Sequence, residues 1–303
     1  SIIAVASVNM AVAQPNVAAS IKPIHSLVSS VMEGVAVPLL LVEAGSPHTY
    51  SLKPSQAKYL QEADAIFWVA HDVETFLEKP LDSIPKNTVV VELGETEGLV
   101  ELSFREGGLF DSHGHDDHDD HDKHDDHDKH DDHDKHDDHA KNDDHGHSEH
   151  DPHFWLDPLN AKVMVREIQS QLSSMDPVNA VRYESNAKKT EARLDELVTE
   201  IEAELAGLQC REFITFHDAY QYFESRFGVR AIGTITVSPE VMPGAKRLKE
   251  LRAKIKKSKA TCVFSEPQFE PKAVEVITSG TSARTGVLDP SGVELKPVPD
   301  LYL

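Results

Sequence analysis

The sequence predicts an α/β protein: two α/β lobes with parallel sheets, joined by one long rigid helix. Two observations predict it. Short β-branched runs alternate with amphipathic segments, the rhythm of parallel strands linked by crossover helices. That rhythm occurs twice, on either side of a single long amphipathic stretch.

The elements follow in order. Residues 1–13, "SIIAVASVNMAVA", are apolar and small and end in Ala11-Val12-Ala13, as the tail of a secretory signal peptide does. A buried first strand is the competing reading. An N-terminal lobe is expected over 14–175, with strands in "VAAS" (17–20), "VPLLLV" (37–42), "AIFWVA" (65–70) and "TVVVEL" (88–93), and a helical pattern in "SQAKYLQEA" after Pro54. Asp157-Pro158 and Asp176-Pro177 each read as an N-cap followed by proline at the first helical position. The second is expected to open a linker helix over 176–208, with an apolar stripe of Leu194, Leu197, Val198, Ile201, Leu205 and Leu208. From Pro177 to Leu208 it would measure ~48 Å. A C-terminal lobe over 209–303 then resumes the alternation with "FITF" (213–216), "RAIGTI" (230–235), "ATCVFS" (260–265) and "TGVL" (285–288). No run of about 18 apolar residues occurs after the start, so no span and no direct membrane insertion is expected.

Charge excludes some function classes. Among 303 residues, 52 acids outweigh 30 bases, a formal charge of −22. Between Asp111 and Asp151 stand 18 acids and 4 lysines, a local −14 that leaves −8 for the rest. Such a balance repels nucleic acid and anionic membranes and attracts cations. The acidic tract repeats "HDDHDK", with His115, His118, His121, His124, His127, His130, His133, His136 and His139 at every third position. A period of three fits neither helix nor strand. With Ala140 as its only aliphatic residue from His113 to Asp151, the tract is expected to be disordered over 111–151. It is expected to serve as an accessory metal loop.

Five histidines lie outside it. His48 follows the strand ending at Val42, His217 in "FITFHDAY" ends its strand, and Asp289 in "TGVLDP" follows another. His153 in "HDPHFWLDP" sits between the tract and a capped helix. Open α/β sheets collect ligands beyond the carboxyl ends of their strands, so these four can converge in the cleft between the lobes. His25 and His71 lack that setting and read as ordinary helix-face or loop residues. Three imidazoles and a carboxylate suit tetrahedral zinc better than manganese, magnesium or calcium, while copper and nickel also bind imidazole. An oxidising compartment would allow Cys210 and Cys262 to pair; both also read as small buried hydrophobes.

"AGSPHTYSLKPSQAKYLQEAD", "HDPHFWLDP", "FITFHDAYQYFESRFG" and "ATCVFSEPQF" together resemble the segments that mark the ZnuA family of metal-binding solute receptors. The resemblance extends from about Val17 to Leu303. It implies a periplasmic, exported, monomeric zinc receptor and not an enzyme, handing Zn2+ to an inner-membrane ABC permease. It implies that His48, His153 and His217 ligate the metal, with Asp289 competing with water for the fourth place. Some members carry a glutamate just before the first histidine; this chain has Pro47. A cysteine further along the chain can partner the equivalent of Cys262 in that family.

Two other function classes stay open: a zinc buffer or metallochaperone working mainly through the tract, and a zinc-dependent hydrolase. "HGHDDH" (113–118) fits a hydrolase pattern, but no strand leads into it and the composition makes a chance match expected. H-E-x-x-H, the P-loop and the dinucleotide fingerprint are absent. Glu266 is the nearest acid that a hydrolase could use as base, and its plainer reading is a hydrogen-bonding loop residue.

Overall fold

Val17, Ala18 and Ala19 are wholly buried, and they form β1 (Val17–Ala19) at the heart of the first sheet. The computed structural model describes residues 14–106, 108–110, 150–208, 211–236, 239, 241, 243–258 and 262–303. β2 (Leu39–Leu40), β3 (Ala65–Trp68) and β4 (Val89–Glu92) complete a parallel sheet of order β2-β1-β3-β4. The second sheet repeats the winding: β5 (Glu212–Thr215), β6 (Arg230–Thr234), β7 (Cys262–Ser265) and β8 (Arg284–Val287) stand in the order β6-β5-β7-β8, all parallel. Each expected strand is present; β5 and β8 begin and end one residue earlier than expected, and the others are trimmed at their ends. In both sheets the chain winds outward from the first strand and then crosses to its other side. The crevices beyond the carboxyl ends of β1/β3 and β5/β7 are therefore the switch points where ligands sit.

Helices cover these sheets. α1 (Lys22–Val31) is buried along its whole length and packs on the first sheet through Ile24, Leu27, Val28 and Val31. α2 (Pro54–Glu62) and α3 (Glu78–Asp82) complete the crossovers of the first lobe. α4 (Pro158–Met175) begins as expected: the Asp157 carboxylate accepts from the Leu159 N–H at 2.9 Å, with Pro158 at the first position. In the second lobe lie α6 (Gln221–Phe227), α7 (Ala245–Lys257) and α8 (Lys272–Thr278). No helix among the described residues is long and apolar enough to cross a membrane.

The linker helix differs from its expected bounds of 176–208. α5 runs Ala180–Glu204, 25 residues or ~37 Å, and lies along α4 and α1 before leading to the second sheet. Asp176 closes α4 and does not cap α5. Its carboxylate accepts from Asn179 Nδ2 at 2.7 Å and from the Tyr183 hydroxyl at 2.8 Å, so it ties the α4–α5 turn together. Of the stretch 111–151, expected to be disordered, His150 and Asp151 are described and ordered. His150 bridges to Ser103, and the N–H of buried Asp151 donates to Leu102 O at 2.8 Å. The signal-like residues 1–13, the tract histidines from His115 to His139, and Cys210 with its pairing to Cys262 lie outside the described residues; Cys262 itself carries a free thiol.

The lobes are joined by more than α5. From α6, Arg226 forms a forked ion pair with Asp157 at 2.7 and 2.8 Å, and the Tyr222 hydroxyl donates to Asp151 O at 2.8 Å. The last residues, expected to belong to the second lobe, return to α1. Ser26 and Ser30 donate to Pro299 O at 2.6 and 2.9 Å, and Lys22 Nζ donates to Leu295 O at 2.8 Å.

Glu74 occupies the switch point of the first sheet without an exposed atom, accepting from the N–H groups of Val69 and Ala70. Burial pushes its pKa up to about 7, against hydrogen bonds from Ser20, Ala70 and Val69 that favour the anion. The folded pKa exceeds the unfolded value of 4.5, so the acid's contribution to stability is complete below that value and is lost as pH rises through about 7. The loss amounts to about 3 kcal/mol. Glu74→Gln is expected to flatten the decline in unfolding free energy between about pH 5 and about pH 8, measured by denaturant titration against wild type. Identical pH slopes for the two proteins would refute this.

Candidate metal centre

Each of three histidines is placed by a different piece of backbone. Pro47, with φ fixed by its ring, starts the 3-10 turn Pro47–Thr49 beyond β2 and sets His48 at the cleft. His153 immediately precedes the 3-10 turn Phe154–Leu156, where Trp155 is wholly enclosed and its Nε1 donates to Pro290 O at 2.9 Å. His217 lies two residues past β5, in the crevice between β5 and β7.

The three rings converge. Their centroids are 5.9 Å apart for His48 and His153, 6.2 Å for His48 and His217, and 5.3 Å for His153 and His217. One ligand nitrogen from each lies within 4.8 Å of the others. Two rings have a fixed orientation. His153 Nδ1 lies 2.7 Å from Asp151 Oδ1, and His217 Nδ1 lies 2.7 Å from Glu266 Oε1. A carboxylate can only accept, so each Nδ1 carries the proton and each Nε2 presents a lone pair. Those two Nε2 atoms are 3.4 Å apart. Tetrahedral zinc with nitrogens at ~2.0–2.1 Å sets them about 3.3–3.4 Å from one another. The donor set therefore fits zinc in chemistry, and the His153–His217 pair fits it in spacing.

Electrostatics sorts the three. Burial, then the neighbouring His153 and His217, lower His48 to about 3, against a hydrogen bond to the Asp72 backbone. That ring is neutral and ready to coordinate across the physiological range. Burial alone would lower His217 too, but Glu266 through charge and hydrogen bond, with Asp218 and Asp151 behind it, raises it overall. A metal arriving at His217 displaces a proton.

Asp289 is not drawn into this group. Its carboxylate accepts from the N–H groups of Ser291 and Glu294, both at 3.3 Å, and so closes its own loop. It and Tyr220 line a neighbouring cavity of about 1040 Å³ at the face of β5 and β7. The buried Tyr220 hydroxyl is raised well above its ordinary value by burial, Glu266 and Asp289. His25 and His71 have other partners: His25 is buried against Pro38 O at 3.1 Å, and exposed His71 stands between Glu78 and Glu92.

Sequence reasoning did not assign Asp151 or Glu266 their roles, although both are even more buried than the histidines they hold. Each had a signal. Asp151 precedes its histidine by two residues in D-P-H, and Glu266 follows β7 as His217 follows β5. Glu266 also accepts from Gln268 Nε2 at 3.2 Å, so the plainer reading of this acid describes it correctly.

Comparison with known proteins identifies the family. Residues 17–303 match the family described as ZnuA, zinc-uptake complex component A, periplasmic. The chain is 56% identical over 289 residues to the high-affinity zinc uptake system protein ZnuA of Brucella abortus strain 2308, covering 94% of this chain and 86% of that protein. To the protein of the same description from Yersinia pestis it is 34% identical over 293 residues, covering 95% and 86%. A crystal structure of ZnuA shares the fold at a TM-score of 0.73 and 24% identity, over 96% of this chain and 95% of that one. With both sheets and all three cleft histidines inside the matched region, the chain belongs to the ZnuA family of periplasmic zinc-uptake components.

Proposed function

We propose that the chain is a high-affinity periplasmic receptor that holds Zn2+ on His48, His153 and His217 and delivers it to an inner-membrane ABC permease. The observation that carries this reading is the pair of buried carboxylates, Asp151 and Glu266, each fixing an imidazole so that its Nε2 faces the common point. Carboxylate-held histidines of this kind raise ligand basicity and remove the entropy of ring orientation. The site is complete within one chain, which supports a working monomer. A water fills the fourth position, because the Asp289 carboxylate is engaged by its own loop. The tract histidines serve as a weak accessory. A hydrolase is disfavoured because the two acids at the centre are engaged, Glu266 by His217 and Gln268 and Asp151 by His153, and neither is free to act as a base.

Calorimetric zinc titration of the full chain and of a variant lacking 111–149 tests this reading. The tightest binding event is expected to survive the deletion unchanged while the weaker events disappear. Asp289→Ala in the deleted protein is expected to cost less than about tenfold, below the cost of losing a ligand-orienting group. Loss of the tightest event with the tract would make the protein a buffer and overturn the receptor reading.

A further inference from the structure

We infer that the lysine face of α7 is a docking surface for this chain's own acidic segment 111–149. α7 carries seven basic residues and one acid, Glu250, in a chain whose formal charge is −22. Leu251 and Ile255 bury one side of the helix, which leaves Lys246, Lys249, Lys256 and Lys257 together on the exposed side. Elsewhere lysines are commonly matched with acids: Lys53 with Glu43, Lys58 with Glu62, Lys188 with Glu184, Lys189 with Glu33. The four on α7 form no ion pair with a described residue.

An unmatched basic face is usually only a solvated one. Here a second feature selects an occupant. Arg247, on the first turn of α7, donates through Nη2 to Leu109 O at 2.7 Å. The Leu109 side chain rests on Gly233 of β6, where an added Cβ would meet it at 2.5 Å, so only glycine permits the contact. Arg105 stacks over the Phe110 ring at 4.1 Å and forms ion pairs with Asp218 and Glu224 of the second lobe. The acidic segment therefore begins two residues beyond a group hydrogen-bonded to α7.

The segment's 39 residues carry 17 acids and 4 lysines, a charge of −13 before any histidine is protonated. Fully extended they could span ~130 Å, far more than the ~20 Å of α7. Exposed ion pairs are individually weak, but a tether at the helix start supplies a high effective concentration, and many acids can exchange over four lysines. One consequence rests on the accessory-loop reading above. Zinc on the tract's imidazoles adds positive charge, so loading the tract and docking it oppose one another.

Zero-length carbodiimide crosslinking of the full chain, metal-free and at low salt, tests the docking, with mass spectrometry locating the amide bonds in monomeric product. Crosslinks from 111–149 are expected to concentrate on Lys246, Lys249, Lys256 and Lys257 over exposed Lys86 and Lys296, and to fall several-fold in about 0.5 M salt. In K249E/K256E the crosslinks to Lys246 and Lys257 are expected to fall several-fold. Equal yields at Lys86 and Lys296, or unchanged yields in K249E/K256E, would overturn the docking surface. Zinc in excess of the cleft site is expected to lower the α7 yields; yields that stay constant would overturn the opposition between docking and loading while leaving docking intact.

Discussion

His217→Ala weakens the tightest zinc-binding event by roughly 100–1,000-fold, and His48→Ala and His153→Ala do the same. Four-ligand zinc sites hold the metal with ~10–16 kcal/mol, so one ligand accounts for ~3–4 kcal/mol of it. Water can occupy the vacated position, but it is a poorer donor than a neutral imidazole held by a carboxylate. The fold is expected to survive, because the three rings lie at the cleft and not within the hydrophobic clusters of either lobe. Competition titration against a chelator of known affinity, with circular dichroism to verify folding, reads the effect. Wild-type affinity in all three folded variants would remove the ligand assignment.

Glu266→Ala is expected to have the next largest effect, a loss of about 10–100-fold with all three histidines in place. Glu266 is fully enclosed and holds His217 Nδ1 at 2.7 Å; without it the ring can rotate or change tautomer. Glu266→Gln separates positioning from charge. The amide oxygen still accepts from Nδ1, so affinity is expected to recover partway. The sign of the proton linkage then follows. The carboxylate is the leading cause of the raised His217 pKa, so the wild-type metal-free site binds a proton more readily near neutral pH. Zinc must displace that proton, and in Glu266→Gln fewer protons are released per zinc. Calorimetry in buffers of different ionisation enthalpy counts them. Equal proton release in both proteins would show that the charge of Glu266 does not set the proton linkage.

Much of this was legible in the sequence. β-branched runs such as "AIFW" and "CVFS" became strands because parallel strands buried on both faces need continuous apolar sequence. The two Asp-Pro pairs looked alike, yet only the first caps a helix. After Pro158 the buried stripe begins at once with Ala161, Met164 and Val165, whereas after Pro177 the first buried side chain is Tyr183. The apolar period, and not the cap residue, fixed where α5 begins. His48 and His217 were legible from their strand-end positions, and His153 from its place between the tract and a capped helix. Asp289 shared that position, but Asp-Pro-Ser-Gly is turn sequence, and its carboxylate serves the turn. Asp151 was hidden for a different reason: at the edge of an acidic run, nothing in the local composition sets one buried aspartate apart from the other acids.

The claim that three imidazoles from two lobes share one zinc is tested most directly by anomalous diffraction at the zinc edge. Crystals of the zinc-loaded protein lacking 111–149 would be used. One strong peak at ~2.0–2.1 Å from His153 Nε2, His217 Nε2 and a His48 ring nitrogen is the expected result. A strong peak elsewhere, with the cleft histidines uncoordinated, would contradict it.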